Sequence, residues 1–450
     1  MASNRLARLQ AFTGIDFHVA ITLLFRVWGI VAGGVMVFVI PATLSPQQQG
    51  YYFTFASLLG LQIFFELGLN QVVVQLVSHE MAFLSWGARG ELVGEVGHLD
   101  RLKSIVALLR RWYAVAATLF LLVAAMAGAL LFDRTGSLPR QLWLGPWLSL
   151  VSMTAINLYF SPMLAVVEGC GRVGQVARLR LAQSMIGYGL TWAALIAGLG
   201  LWAIPLSAAT AGLCTALWLR LDNHLLRAFE ITTPLPHGSG VDWRREVLPF
   251  QWRIAVSWIS GYLIFQLFTP LVFVNLGPVA AGRLGIALAI FNALMSVGVS
   301  WINAKIPSLT AHVTRGERAE LNRNFGSVAR RSAAFTIASS MTVLLVVYLL
   351  DASGVPHVDR IADLPTLACI AISTSATILI YAAASYMRAH REEPMLAVSV
   401  VGGLITLVAA YFASRHGTFA TMLVQTAITL VISVPWTLQL FLRYYRRVAA

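Results

Sequence analysis

Charged residues are scarce in this 450-residue sequence: they make up 11% of it, whereas hydrophobic residues make up 58%. Soluble domains contain about 25% charged residues, so the composition excludes an ordinary soluble protein. A helix needs about 20 mostly apolar residues to cross a bilayer. We predict about twelve such spans, near residues 18–40, 50–71, 112–132, 142–166, 181–199, 202–219, 250–275, 280–302, 332–350, 364–387, 395–413 and 418–441.

Cysteine is scarce as well. Cys170, Cys214 and Cys369 are far apart in the sequence and form no C-x-x-C pair, which disfavours a disulfide framework and a zinc site. The motif G-x-x-x-x-G-K-[ST] is absent, so this chain does not use a P-loop to hydrolyse ATP. We expect no metal and no cofactor, and we expect transport to draw on an ion gradient, the membrane potential, substrate pull or a partner.

Acidic residues are outnumbered, with 19 Asp and Glu against 32 Lys and Arg. If the N-terminus is cytoplasmic, 26 of the 32 Lys and Arg residues fall in cytoplasmic segments. This is the positive-inside pattern, and it explains the net charge of +13 without a nucleic-acid partner. The polar N-terminal segment has no signal cleavage site, so we expect the first span to remain and both termini to be cytoplasmic. The predicted outer loops hold only four basic residues, Arg134, Arg140, Arg360 and Arg415.

One corner between spans occurs twice. Leu44–Gly50 reads LSPQQQG and Leu276–Gly282 reads LGPVAAG, and an apolar run follows each L-x-P-x-x-x-G. Around both corners an Arg in the preceding span, an R-G-E tripeptide and an Arg-Arg pair recur in the same order. We therefore predict two six-helix lobes, residues 1–226 and 247–450, joined by a cytoplasmic linker, 227–246. Six spans return the chain to the same side, so a pseudo-two-fold axis along the membrane normal relates the lobes, as in transporters that bind substrate between their halves.

A membrane-embedded enzyme of polysaccharide assembly, such as an acyltransferase or ligase, is one alternative. The predicted outer loops are all short, which leaves no outer domain for a catalytic site. Two polar groups at cytoplasmic span ends, His79-Glu80 and Asp222-Asn223-His224, are the nearest candidates for acid–base residues. No third group is identifiable beside either of them, so we interpret both as interfacial residues and expect no enzyme activity.

The arginine in the first span, the corner L-S-P-x-x-x-G-Y-Y, the segment Phe64–Gln71 (FFELGLNQ) and the second corner LGPVAAG together resemble the polysaccharide flippases of the MOP exporter superfamily. The resemblance covers nearly the whole chain. It implies an all-α protein of twelve helices in two lobes around a central cavity. It also implies alternating-access transfer of a polyprenyl-pyrophosphate-linked oligosaccharide to the outer leaflet of a bacterial inner membrane, beside glycosyltransferases and a polysaccharide polymerase.

Ionisable residues within spans are costly and usually face a cavity or a partner. Arg26 lies about eight residues, or about 12 Å, into its predicted span, as either an anchor for pyrophosphate or a structural partner of Glu66. Glu66 itself either forms that ion pair or couples transport to H⁺ or Na⁺. Arg253 is either a ligand or an interfacial side chain, and Arg283 either binds substrate near the outer side or contacts headgroups. By the resemblance, these three arginines match in position the cavity arginines of the lipid II flippases.

The sign of these charges separates two classes of transporter. From Val247 to Gly316 the sequence contains no Asp or Glu. A site for cationic drugs needs carboxylates or an aromatic box, whereas guanidinium groups match pyrophosphate, so the sequence favours an anionic substrate over the alternative of a cation-coupled multidrug exporter. Four further polar residues either line a sugar path or form contacts between helices: Tyr51, Gln62, Asn157 and Asn292.

Overall fold

The computed structural model describes residues 17–87, 91–221, 243, 248–356, 358–389 and 395–449. These residues form sixteen α-helices linked by short turns, together with one small antiparallel hairpin in which Leu84 lies opposite Gly94 and Trp86 opposite Leu92. In chain order the elements are α1 (Phe17–Thr43), α2 (Pro46–Leu59), α3 (Ile63–Glu66), α4 (Leu69–Glu80), β1 (Leu84–Trp86), β2 (Leu92–Gly94), α5 (Val96–Thr135), α6 (Arg140–Gly169), α7 (Val173–Ile196), α8 (Ala203–Leu221), α9 (Leu248–Phe265), α10 (Phe268–Leu276), α11 (Pro278–Arg315), α12 (Arg318–Ala352), α13 (Leu364–Ala389), α14 (Met395–Ala413), α15 (Thr418–Ile428) and α16 (Val434–Ala449).

Membrane-spanning helices dominate the described chain. Eight helices are long and apolar enough to cross a bilayer, and ten spans result when each of two bent helix pairs is counted as one. Pro46–Glu66 bends by 44° against Leu69–Phe83, and Gln251–Phe265 bends by 42° against Phe268–Leu276. The helices α1 and α7 lie at the two remaining predicted positions. The prediction of an all-α protein with many membrane spans is confirmed.

The chain folds into two compact units, which do not coincide with the predicted lobes. The first unit comprises residues 1–32, 61–130 and 140–255, and the second comprises 33–60, 131–139 and 256–450. Two segments of the first sequence half, 33–60 and 131–139, thus pack within the second unit. The predicted linker, apart from Trp243, lies outside the described residues. The division into lobes at 1–226 and 247–450 stays a prediction.

The two copies of the repeated corner lie together in the second unit. Each begins a helix with proline in its first turn, where the missing N–H costs nothing. The first copy is capped by Ser45, whose hydroxyl accepts from the Gln48 N–H at 3.2 Å while the Gln48 side chain accepts from the Ser45 N–H at 3.0 Å. The second copy instead has Gly277 before its proline, with a φ of 86° that favours glycine.

Glycines bring these two corners into contact. A Cβ atom on Gly50 would overlap the backbone carbonyl of Pro278, and one on Gly282 would lie 2.8 Å from the Gly50 nitrogen. One turn further along α11, a Cβ on Gly285 would overlap the Phe53 side chain. The start of α2 therefore packs on the start of α11 at a distance that only glycine permits.

Candidate functional site

The predicted arginines are distributed over both units. Arg26 lies in α1, but its side chain is outside the described residues. Arg253 lies in the first unit and is exposed, with its guanidinium carbon 5.7 Å from the centre of the Trp252 ring. Arg283 lies in the second unit, exposed on the first turns of α11. The geometry of the two described side chains is thus that of cations on accessible surfaces, within helices that the sequence predicted to be spans.

Glu66 lies at the break between α3 and α4. The helix stops there because Leu67 and Gly68 adopt the left-handed conformation, with φ of 52° and 66°. Among the described residues, Leu67 is the only non-glycine residue with positive φ. Such strain is maintained by surrounding structure and is common at functional sites. The break sets the half-buried Glu66 carboxylate beside the first turn of α4.

A polar network holds this break. The Asn70 amide nitrogen donates to Glu66 Oε1 at 2.6 Å and to Ser161 Oγ on α6 at 3.2 Å. The Tyr113 hydroxyl on α5 donates to Asn70 Oδ1 at 3.0 Å. Asn70 thus fixes one carboxylate oxygen of Glu66 and is itself held by side chains on α5 and α6, while Glu66 Oε2 accepts no hydrogen bond from a described residue. Sequence reasoning missed Asn70, Tyr113 and Ser161, and the only signal for them was the E-x-x-x-N spacing across Gly68.

Tyr51 is enclosed in the core of the second unit, with 0% of its surface exposed. Its ring stacks on Phe132 at 5.2 Å between centres and meets Phe55 and Phe273 edge-on. Its hydroxyl accepts a hydrogen bond from the Leu138 N–H at 3.3 Å. The ring and the hydroxyl both have protein partners, so Tyr51 packs in the core of this unit.

The three other polar candidates have different surroundings. The Asn157 amide on α6 donates to the Ala208 carbonyl on α8 at 2.8 Å, which is a contact between helices. Gln62 is half-buried on the turn of 3₁₀-helix Gly60–Gln62, just before the break at Leu67. Asn292 on α11 is exposed and lines a small space of about 50 Å³ inside the second unit.

A larger cavity of the second unit adjoins that small space and has a volume of about 340 Å³. Its walls come from α9, α11, α13, α14 and the region where α15 meets α16. Arg388, at the end of α13, is the single charged residue among the described lining residues, and none of them is a carboxylate. The remaining lining residues are aliphatic or aromatic, glycine, or uncharged polar side chains such as Gln425 and Ser399.

Glu80, one of the acid–base candidates of the enzyme alternative, contacts two basic side chains. The Glu80 side chain is 4% exposed, and its carboxylate lies 2.7 Å from His98 Nδ1 and 2.9 Å from Arg101 Nε. These two contacts tie the end of α4 to the start of α5. Asp222, Asn223 and His224 lie outside the described residues.

No protein-family model and no curated protein sequence matches the chain. Its structure is similar to the inward-facing conformation of a multidrug resistance MATE family transporter of the MOP superfamily. The TM-score is 0.70 at 14% identity, and the match covers 96% of this chain and 99% of that one. The fold is that of the MOP superfamily transporters.

Two further solved structures share this fold. The inward closed conformation of the lipid II flippase MurJ matches with a TM-score of 0.60 at 11% identity, over 96% of this chain and 89% of that one. A MOP superfamily transporter from Pyrococcus furiosus, whose binding pocket of reverse polarity suggests a different function, matches with a TM-score of 0.53 at 14% identity, over 96% and 93%. At such identities the likeness shows the MOP fold alone. The predicted superfamily fold is therefore confirmed, and the polysaccharide flippase subfamily stays a prediction.

Proposed function

We propose that this chain is a flippase that moves a polyprenyl-pyrophosphate-linked oligosaccharide from the cytoplasmic to the outer leaflet of a bacterial inner membrane by alternating access, for surface polysaccharide synthesis. The observation that carries the proposal is the sign of the charge in the cavity of the second unit. Among the described lining residues Arg388 is the single charged one, and none is a carboxylate. Guanidinium groups match phosphate oxygens in bidentate fashion, whereas the described lining offers a cationic drug no counter-charge.

The cations predicted within spans extend this argument. Arg283 is exposed on α11, and the sequence from Val247 to Gly316 contains no acidic residue to neutralise it. We assign Arg26, Arg253 and Arg283 to pyrophosphate binding during transfer, with the two termini cytoplasmic as the basic loops indicate. Glycosyltransferases would supply the substrate at the cytoplasmic side, and a polymerase would use it at the outer side.

Glu66 is the group most suited to couple transport to H⁺ or Na⁺. One carboxylate oxygen is fixed by Asn70 at 2.6 Å, and the other accepts no hydrogen bond from a described residue. A multidrug exporter of the same superfamily, suggested by the first neighbour, would need such a carboxylate in contact with its cationic substrate. The hydrogen bonds that tie Glu66 to its own break in the helix favour a coupling or structural role instead.

The test is mass spectrometry of membrane lipids from a strain that lacks the gene, with surface polysaccharide followed in parallel. We expect polyprenyl-pyrophosphate oligosaccharide to accumulate on the cytoplasmic leaflet while the surface polymer is lost. A leaflet assay is needed because loss of a polymerase also causes accumulation, but on the outer leaflet. Unchanged lipids together with raised sensitivity to cationic drugs would establish the exporter instead.

Single substitutions sharpen this test. Arg283→Ala should abolish surface polysaccharide at a normal protein level. The matched control is Arg415→Ala, which removes another exposed arginine, one whose guanidinium donates to the Tyr411 hydroxyl at 2.7 Å. Normal polysaccharide in the Arg283 variant would remove that residue from the proposed mechanism.

A further inference from the structure

We propose that the cavity of the second unit is a lipid-binding site, which takes the hydrocarbon chain of a single-chain lipid phosphate and binds the phosphate at Arg388. This rests on the proposed function, which uses the same cavity, and deepens it by naming the chemical class of lipid that the cavity binds. The carrier of the proposed substrate has this chemistry, and so do lysophospholipids of the membrane.

The mouth of the cavity has the charge that a lipid phosphate requires. Arg388 is exposed in the last turn of α13, and Met395, the first residue of α14, lines the same cavity. Arg388 and Met395 thus place part of the lining at the ends of two predicted spans, which is the depth at which lipid headgroups lie. The N-terminal end of α14 adds the partial positive charge of its helix dipole, and no described lining residue is acidic.

The walls of the cavity have the surface that a hydrocarbon chain requires. Several of the polar lining residues have donors already engaged by protein acceptors. The Thr377 hydroxyl donates to the Ser373 carbonyl at 2.7 Å, and the Tyr381 hydroxyl donates to Asn303 Oδ1 at 2.8 Å. The Thr429 hydroxyl likewise donates to a backbone carbonyl, at 2.9 Å. Threonine methyl groups and aliphatic residues such as Ile264 therefore contribute much of the wall.

A π-helical segment and two glycines line this cavity. Thr429–Ser433 forms a π-helical segment, and its residues Thr429 and Ser433 line the cavity. Such segments are rare in proteins overall but are often found at functional sites. Glycine replaces a side chain at Gly261 and Gly402, both of which line the cavity. A Cβ on Gly261 would have no atom within 4 Å. The cavity volume of about 340 Å³ lies within the range of about 300–1,000 Å³ for ligand sites.

Binding is tested by native mass spectrometry of the purified full chain with geranylgeranyl monophosphate, geranylgeraniol and a lysophosphatidate as probes. Gly261→Leu should lower the affinity for both phosphate lipids at least tenfold, because leucine fills the space that the chain needs. Gly189→Leu is the matched control, since Gly189 is an exposed helical glycine whose Cβ would also have no atom within 4 Å. Arg388→Gln should lower the affinity for the phosphate lipids about tenfold, as expected for a lost hydrogen bond to a charged group, and leave geranylgeraniol unaffected.

A second measurement uses the unaltered protein and so does not depend on the folding of a variant. A geranylgeranyl monophosphate that carries a photoreactive diazirine should label peptides of α9, α11 and α14, with Met295 and Met395 as wall residues. Labelling confined to other helices would overturn the proposal. So would wild-type affinity in Gly261→Leu, or full displacement of the lipid by inorganic phosphate at equal concentration, which would indicate an anion site without a chain.

The source of the lipid follows from the same titrations. Tighter binding of the prenyl phosphate assigns the site to the carrier lipid, and equal binding of the lysophosphatidate assigns it to membrane lipids in general. Both outcomes support a lipid-phosphate site. Binding is measured without transport, so a failed leaflet assay with intact binding would refute the proposed function alone.

Discussion

The contact between the two repeated corners makes a quantitative prediction. Replacing Gly50 by alanine places a methyl group against the carbonyl of Pro278. All three of the nearest atoms are backbone atoms of Pro278, so no side-chain rotation can relieve the overlap. The start of α2 must move away from α11, and the glycine contact at Gly282 is lost with it.

The expected magnitude follows from two opposing effects. Overpacking of a tight interior contact costs about 1–3 kcal/mol, and a backbone obstacle places this contact at the upper end. Alanine regains about 1 kcal/mol of helix propensity. The Gly50→Ala variant should therefore be destabilised by about 2 kcal/mol.

Gly34→Ala is the control for this prediction. Gly34 lies in a helix of the same unit, and a Cβ there would have no atom within 4 Å, so only the gain in propensity remains. Thermal unfolding of the detergent-purified protein, followed with a dye that reacts with thiols, reports the exposure of the buried Cys369 of the second unit and Cys170 of the first. We expect a lower unfolding temperature for Gly50→Ala and an unchanged or higher one for Gly34→Ala. Equal unfolding temperatures for the two variants would refute the close packing of the corners.

Three further predictions concern polar contacts. Asn70→Ala removes the donor at 2.6 Å from Glu66 and should cost about 1.5–3 kcal/mol, the range for hydrogen bonds to charged groups, measured as a lowered unfolding temperature. Arg360→Ala removes the hydrogen bond of 3.2 Å to the Leu44 carbonyl and should cost about 1 kcal/mol in the same assay, whereas no change would show that this contact does not stabilise the corner. Hydrogen bonds from the neighbouring histidine and arginine lower the pKa of Glu317. Its carboxylate therefore stabilises the fold at pH values above the ordinary pKa of glutamate, and this stabilisation is lost as the pH falls through the lowered pKa. The deficit in unfolding temperature of Glu317→Gln should accordingly be present at neutral pH and disappear in acid.

Hydropathy located the spans well because the bilayer imposes a length and a composition on each of them. It could not find helix ends that lie in water. The predicted span 112–132 belongs to α5, which runs from Val96 to Thr135 because its polar first turns continue the helix. Hydropathy also predicted continuous spans through Leu67 and Gln266, whereas the helices bend at both places in the structure. At the first bend, Leu67 and Gly68 have left-handed backbone, which a hydropathy window does not register.

The sequence shows which charged residues lie within predicted spans, but it does not show which side chains contact them. An ionisable residue within an apolar run is visible in the sequence, so Glu66 and Arg283 could be named. The partners of Glu66 come from α4, α5 and α6, and only the fold brings these helices together. The sequence left the role of Tyr51 open for the same reason, because an aromatic hydroxyl near a span end is equally suited to an interface or to a core.

The repeated corner shows how one sequence pattern can serve two purposes. Gly50 and Gly282 occupy the same place in the pattern, and the two positions meet, so identity is retained where backbone packs on backbone. The residues that follow them differ: Tyr51 is enclosed among aromatic rings, and Arg283 is exposed. A tyrosine in place of Arg283 would keep the corner and remove a cation, and an arginine in place of Tyr51 would bury an unpaired charge at a cost of several kcal/mol. The second corner can therefore carry an exposed charge, whereas the first supplies a ring of the aromatic core that Tyr51 shares with Phe132 and Phe273.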